Sequence, residues 1–350
     1  MTRAVAQHPR SPDSHPNLLT KSSRLAFIQK AQVWKPTDIP GMNLREGPRG
    51  AGSFRPNELV TCDYVERPKS GTTPKFHCAL ADGEIVKVRY GAHNGEIVGS
   101  VIATRLLWAL GFAADRVYPV RVRCRGCAPD PWHGGAHGGE VHEFDPAVIE
   151  RKATGHEMWE GRKPAGWAWK ELDLVDEAQG GAPREQRDAL KLLAVFMQHS
   201  DTHNAQQKLL CLPDGLTAAG DCEKPFMLLH DVGKTFGHSS LFNRMGSSSV
   251  NFDAWSQTPI WRNRTDCVGY LSKSYSGTLG DPHISDAGRQ FLLALLQQLT
   301  DRQLNDLFDV AGVDRQNAPL RAASLHSSVD EWVAAFKSKR DEIATHVCAR

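Results

Sequence analysis

Between Glu58 and Gly111 the chain runs three short alternating segments straight into one long apolar helix, and few folds accommodate that order. Residues 58–65, 75–80 and 84–90 carry β-branched and aromatic side chains at period two with turn chemistry between them, which predicts an antiparallel sheet. Asn94 then stands where a helix N-cap belongs. Ile97, Val98, Val101, Ile102, Leu106, Leu107 and Leu110 recur at helical spacing, and Gly111 supplies the stop. Val117 to Val122 and Ala147 to Arg151 predict two more strands, separated by a Gly/His/Pro-rich insertion from Cys124 to His142. The first lobe is expected to hold five antiparallel strands and one helix.

Beyond it the pattern turns helical. Residues 167–175 predict a short helix, and Pro183 opens a clear one in which Leu190, Leu193, Ala194 and Met197 face one way until His199. A strand pair, 207–212 and 226–230, brackets a Pro-Asp-Gly turn, and a Gly/Ser-rich loop spans 237–250. Helices are expected over 285–299, 300–311 and 328–343, the last two opened by the capping-box pairs Thr300/Gln303 and Ser328/Glu331. The fold class is therefore α+β, with a sheet lobe at 58–152 and a mainly helical lobe at 153–350. Residues 1–57, rich in Pro and Gly, are expected to be a flexible basic extension with eight Lys/Arg against three Asp/Glu in the first fifty.

Composition narrows the function classes. At 350 residues, 40% hydrophobic and 23% charged, the chain can bury a sizeable core, which excludes disulfide-stapled miniproteins and chain-wide disorder. A net charge of +2 argues against nucleic acid and membrane surfaces as partners. The longest clean apolar runs, Leu192 to Met197 and Phe291 to Leu296, are far shorter than the roughly 18 residues of a membrane span. The first 30 residues offer only Leu25 to Ile28 as an apolar patch, so a cytoplasmic location is expected. Eight cysteines spread over a long chain read as mostly buried reduced thiols. Cys211 and Cys222 can face one another across the hairpin, with a reduced pair as the default.

Several residue sets carry chemistry. Lys87, in Glu84-Ile-Val-Lys-Val-Arg-Tyr90, points to the sheet face opposite Val86 and Val88, and Glu96 lies in the first turn of the following helix. Each also has an ordinary reading, a solvent-face lysine and a first-turn acid favoured by the helix dipole. Asp201-Thr-His-Asn-Ala-Gln206 follows the long helix, and Asp231-Val-Gly233 lies 30 residues on, across a hairpin that returns the chain to the loop it left. Ser70-Gly-Thr-Thr-Pro-Lys-Phe76 joins the first two strands and is either a plain turn or an anion cradle of backbone N–H groups with the Lys75 ammonium.

Taken together this order resembles the two-lobed protein-kinase-like fold over roughly residues 58 to 311, in particular HipA-type bacterial Ser/Thr kinases and the phosphoinositide-kinase-like catalytic loop. The resemblance implies an ATP- and Mg²⁺-dependent phosphotransferase, in which Lys87 and Lys75 hold nucleotide phosphates and Glu96 fixes Lys87. Ser70, Gly71, Thr72 and Thr73 would form the phosphate loop, with Asp201 at the acceptor hydroxyl and His203 in the place of the family's histidine. Asp231 with Gln206, or alternatively Asn204, would hold metal. The implied acceptor is a Ser/Thr hydroxyl on a protein, with a small-molecule hydroxyl also open. Three departures stand out: Gln206 where the family has Asn, Val232 where it has Phe, and a phosphate loop poor in Gly. They leave two alternatives, a non-catalytic nucleotide-binding pseudokinase and an enzyme that transfers AMP.

Smaller features complete the reading. Cys124 and Cys127 with His133, His137 and His142 offer Zn²⁺ ligands, against a redox pair or plain thiols in a solvated loop. Trp167 and Trp169 either line an adenine pocket or pack the core, and core is expected. Ser239, Ser240 and Ser247 to Ser249 lie where an activation segment would be, either solvated or autophosphorylated.

Overall fold

The structure, a computed structural model, describes residues 17–92, 94–237, 250–271, 276–315 and 328–348. Described structure begins well before Glu58. Helix α1 (Lys21–Lys30) is capped by Thr20 and buries Phe27 and Ile28, and the irregular chain after it sends Ala31, Val33, Ile39 and Leu44 into the same core as the second lobe. Gln32 bonds through its backbone to Pro225 and Met227, and the Trp34 indole N–H donates to Leu110 O at 2.7 Å. From residue 17 onward the expected flexible extension is therefore a strap on the fold. Its Pro and Gly residues break elements without preventing burial, because single apolar side chains suffice to pin an irregular segment.

Strands β1 (Leu59–Val65), β2 (Lys75–Ala79) and β3 (Ile85–Tyr90) form the expected antiparallel meander. Helix α2 (Gly95–Ala109) follows, with the Asn94 side chain accepting from Glu96 N as its cap. The remaining strands are longer than expected. β4 (Arg116–Cys127) and β5 (Ala136–Arg151) pair as one long hairpin, so most of the supposed insertion is sheet. The sheet order β1-β2-β3-β5-β4 closes into a barrel through a parallel β1–β4 seam. That corrects the all-antiparallel lobe: the crossover through α2 returns the chain parallel to β1, a non-local pairing that period-two patterning does not encode. Alternation places Val60, Cys62, Phe76, Cys78, Val86, Val88 and Tyr90 inside the barrel. The other face carries Lys75, His77, Lys87 and Arg89.

The second lobe is helical around one hairpin. A 3₁₀ turn over Trp169–Leu174 and α3 (Arg184–Phe196) precede β6 (Gln207–Cys211) and β7 (Pro225–Leu229), which pair antiparallel. Then come α4 (Phe252–Gln257), α5 (Asp286–Leu296), α6 (Asp301–Ala311) and α7 (Val329–Thr345). The capping boxes at Thr300/Gln303 and Ser328/Glu331 form as expected. Trp167 and Trp169 are core residues. The serines at 239, 240 and 247–249 lie outside the described residues. No described helix is long and apolar enough to cross a membrane.

All eight cysteines are bonded, as Cys62–Cys78, Cys124–Cys127, Cys211–Cys222 and Cys267–Cys348. The expectation of reduced thiols is overturned: β1–β2 pairing joins Cys62 to Cys78, a register shift in β4 joins Cys124 to Cys127, the β6–β7 hairpin joins Cys211 to Cys222, and the chain after α7 brings Cys348 to Cys267, the Cα atoms lying 5.2 to 5.8 Å apart. The Zn²⁺ expectation at Cys124 and Cys127 falls with it: their sulfurs are bonded to each other, His133 pairs with Asp130 and His142 with Glu140. The His137 side chain lies outside the described residues. Four disulfides also run against the cytoplasmic location expected from the N-terminal composition, since such bonds persist in oxidising compartments.

Candidate active site

The barrel's polar face and the loops of the helical lobe meet in a cleft where four carboxylates face four cations. β3 sends Lys87 and Arg89 to the same side, and here the sequence-based pairing needs correction. Lys87 Nζ lies 2.7 Å from Glu150 Oε2 on β5, its strand neighbour, rather than on Glu96. Arg89, two residues on, takes the Glu96 contact at 3.2 Å. The Arg89 guanidinium also donates to Glu150 Oε2 at 2.6 Å and to both oxygens of Asp231 at 3.1 Å. It is 2% exposed, and although burial disfavours its charge, Asp231, Glu150 and Glu96 hold its pKa above the ordinary arginine value.

The acids respond in kind. Burial pushes the Glu150 carboxyl up, but Lys87 and Arg89 outweigh it and hold the group well below the usual carboxylate range. Asp231 behaves alike: burial raises it, Arg89 and Lys87 lower it more, and it comes to about 2. Asp231 is positioned by backbone. His230 N and Asp231 N both donate to Gln206 O, at 2.8 and 3.2 Å, which ties the Asp-Val-Gly segment to the loop that began at Asp201. Across from it, a Cβ on Gly99 would sit 2.5 Å from Gly233 O, and one on Gly233 would sit 3.1 Å from Glu96 Cβ. These two glycines let α2 press directly on the Asp231 loop and carry Glu96 to the cleft.

Asp201 leaves the end of α3 in a short parallel pairing of Asp201–Thr202 with Ser276–Gly277. Its Oδ2 accepts from Lys234 Nζ at 2.9 Å and from Gln206 Nε2 at 3.2 Å, while its buried Oδ1 has no partner. Gln198 and Phe236 hold φ of 50° and 58°, and Phe236 N bonds Met197 O, so the chain on either side of the site is laced by strained turns. His199, two residues before Asp201, is fully buried with both ring nitrogens unpartnered. Burial drives its pKa down to about 4, which keeps the imidazole neutral.

The phosphate-loop residues divide. Thr73 is buried and its hydroxyl donates to Glu96 Oε2 at 2.7 Å, whereas Ser70 is exposed. Gly71, at φ 88°, lets the Lys75 ammonium lie close over the backbone. Burial lowers the Lys75 pKa, partly offset by Glu96. Lys75 also stacks over Trp132, and Lys69 donates to Pro131 O at 2.6 Å, so the β4–β5 tip holds this loop from above. Gly71, Thr72, Lys75, Glu96, Asp201, Gln206, Asp231 and Lys234 line one cavity of about 60 Å³.

The structure thus brings together Asp201, Asp231, Gln206, Glu96, Lys75, Gly71 and Thr72. It leaves His203 and Asn204 exposed at the start of a 3₁₀ turn and outside that cavity, and Lys87 does not line it either. Arg89, Glu150 and Lys234 were missed by motif reading. Alternation alone puts Arg89 on the face of Lys87, and it is the one sequence signal that could have found it. The donors at Asp231, Gln206 and Glu96, with the unpartnered Asp201 Oδ1, are all oxygens, which suits a hard divalent cation such as Mg²⁺.

No protein-family profile matches the chain, and no curated protein matches it. Among solved structures it is similar to the Helicobacter pylori proinflammatory kinase CtkA, 11% identical over 83% of this chain and 95% of that one, with a TM-score of 0.39. It is similar also to the Golgi casein kinase with Mn and ADP bound, 11% identical over 82% of this chain and 73% of that one, with a TM-score of 0.34. Both neighbours are kinases and both likenesses are weak. Neither likeness shows the HipA-type kinship that the motifs suggested.

Proposed function

We propose that the chain is an ATP- and Mg²⁺-dependent phosphotransferase acting on a Ser/Thr hydroxyl of a protein. The observation that carries this reading is the convergence of Asp201, Asp231, Glu96, Gln206 and Lys75 on one cavity, with Asp231 fastened by backbone bonds to the Asp201 loop. Phosphoryl transfer asks a protein mainly for positioning and charge neutralisation. Lys75 and the Gly71–Thr73 backbone would receive terminal phosphates. Asp231 and Gln206 would hold Mg²⁺, which when bound neutralises phosphate charge. Arg89, rather than Lys87, plays the strand-cation part against Glu96, with Lys87 braced on Glu150. Asp201 orients the acceptor hydroxyl and takes its proton. The cavity of about 60 Å³ has space for only a few atoms, so phosphates enter by displacement of the loop at 70–75. The four disulfides support work in an oxidising compartment.

A second reading, a nucleotide-binding pseudokinase, draws on one observation: Arg89 already engages both oxygens of Asp231, where a metal would have to compete. The test is intact mass of disulfide-intact protein after incubation with Mg²⁺ and ATP, beside Asp201→Ala and a metal-free control. The proposal expects a phosphate-sized increment that Asp201→Ala abolishes while nucleotide still raises the melting temperature. An AMP-sized increment would establish the reversed transfer. No increment and no ATP consumption, with the thermal shift kept, would establish the pseudokinase.

A further inference from the structure

The four disulfides are not equally sheltered. Cys62, Cys78, Cys124, Cys127 and Cys211 are each 1% exposed or less, and only Cys267–Cys348 has both members part-exposed. It joins the chain just after α7 to the segment that follows α4. Beside it stands a third residue with metal-binding chemistry: the two sulfurs and a ring nitrogen of His346 all lie within 4.8 Å of one another. The imidazole is held from two sides. Its ring stacks on Trp261, with centroids 4.4 Å apart and planes 14° from parallel, and its Nε2 donates to Asp266 O at 3.2 Å. Because a carbonyl oxygen only accepts, Nε2 carries the hydrogen and Nδ1 keeps a lone pair. Donation from one ring nitrogen to a backbone carbonyl is the contact that orients metal-binding histidines. A crosslink alone would need no imidazole fixed at its side.

We propose that this bond has a second state, a Zn²⁺ site of two thiolates and one imidazole, which forms when an external dithiol reduces it. The site stands independently of the phosphotransfer reading, and none of its residues lines the cleft cavity. In the reduction, a thiolate of the dithiol attacks one sulfur and the Cys267–Cys348 bond breaks. The second thiol then displaces the mixed disulfide, so that two electrons and two protons pass to the cysteines and the reductant leaves as its own disulfide. Zn²⁺ forms two bonds to sulfur and one to nitrogen, releases those two protons, and keeps water in the fourth position. Two thiolates cancel the charge of the ion, and a sulfur–nitrogen ligand set favours Zn²⁺ over Mg²⁺ or Ca²⁺. The metal bridges the same two segments that the covalent bond bridges, so the end of α7 stays fastened in either redox state.

The test treats the full chain with dilute dithiothreitol, removes the reductant without air, and adds zinc sulfate alone. Alkylation and mass should show two free thiols, at Cys267 and Cys348, before any other pair opens, because access governs which sulfur is attacked. The reduced chain should then bind one Zn²⁺ with a Kd of about 1 μM or tighter, and the disulfide-bonded chain none. Co²⁺ in place of Zn²⁺ should give thiolate-to-cobalt charge-transfer absorption, and Zn²⁺ should raise the melting temperature that reduction lowers. His346→Ala should weaken the metal about tenfold or more while the disulfide still forms in the oxidised chain. Equal Zn²⁺ content in reduced and oxidised chains, no charge-transfer absorption, or a smaller loss in His346→Ala overturns the site. So does a buried pair that opens first, or a chain that unfolds on reduction and is not restored by Zn²⁺.

Discussion

Replacing Arg89 by Met should destabilise the protein strongly at neutral pH and much less in acid. The guanidinium bonds Glu96, Glu150 and Asp231 and is 2% exposed. Arg89→Met keeps most of the stem's volume but leaves three carboxylates with only Lys87, on Glu150, and Lys75, beside Glu96, as neighbouring strand cations. Removing one partner from a buried ionic cluster costs about 3 to 5 kcal/mol. Part of that must depend on pH. Asp231 titrates at about 2 in the folded protein against an ordinary 3.8, and this difference stabilises the fold by about 2 kcal/mol at neutral pH. Because the folded value is depressed, the stabilisation is complete above the unfolded value near 4 and is lost as pH falls toward 2. In the variant the same carboxyl has lost its main cation, so protonation relieves it.

The gap between unmodified and variant chains should therefore narrow by about 2 kcal/mol or more between about pH 6 and pH 2. Urea unfolding followed by tryptophan fluorescence, with disulfides intact, measures it at each pH. Comparing the two chains at each pH also cancels the contribution of His199. That group's depressed value, about 4, makes both chains lose stability as pH falls from near 6.5. A gap that stays constant across this range would refute the charge-cluster account and reduce Arg89 to a packing residue.

The remaining expectations concern assembly. Gly99→Ala places a Cβ 2.5 Å from Gly233 O, so α2 and the Asp231 loop must separate, at a cost of about 1 to 3 kcal/mol and with weaker MgADP binding by calorimetry. Unchanged stability and binding would show that the contact is slack. Native protein should not react with iodoacetamide until it is reduced. Loss of Cys267–Cys348, which closes an 81-residue separation, should cost about 4 to 5 kcal/mol in thermal or urea unfolding, against about 2 kcal/mol or less if that pair contributes little.

Much of this fold was legible because local chemistry and tertiary outcome agree. Asn94, Thr300 and Ser328 cap the helices they were expected to cap. Period-two alternation sorts barrel interior from cleft face, and the spacing of Asp201 and Asp231 across one hairpin foretold their meeting. What was hidden is non-local. Nothing in Val-Lys-Val-Arg says which of two same-face cations the following helix will select; that depends on Glu150, 63 residues further along the chain, arriving to claim Lys87. Disulfide partners are likewise fixed by register, since Cys62 and Cys78 meet only once β1 and β2 pair. The strap from α1 to Leu44 escaped because its apolar residues are few and irregularly spaced, and each one is buried by a partner far along the chain.

Helix α2 has one consequence for control. On the phosphotransfer reading proposed above, α2 would stand where protein kinases carry a switch helix, one that swings to make or break its ion pair with the strand cation. Here every residue of α2 except Trp108 is buried, and its Gly99 rests against the Asp231 loop with no space for a methyl group. A rod enclosed on all sides has no second position to occupy. The packing thus holds the ion cluster assembled, and on the same reading the place left for control is the entrance, where Trp132 and Pro131 hold down the loop that carries Lys75. A phosphotransferase built this way would be governed by what can open its door, not by whether its machinery is engaged.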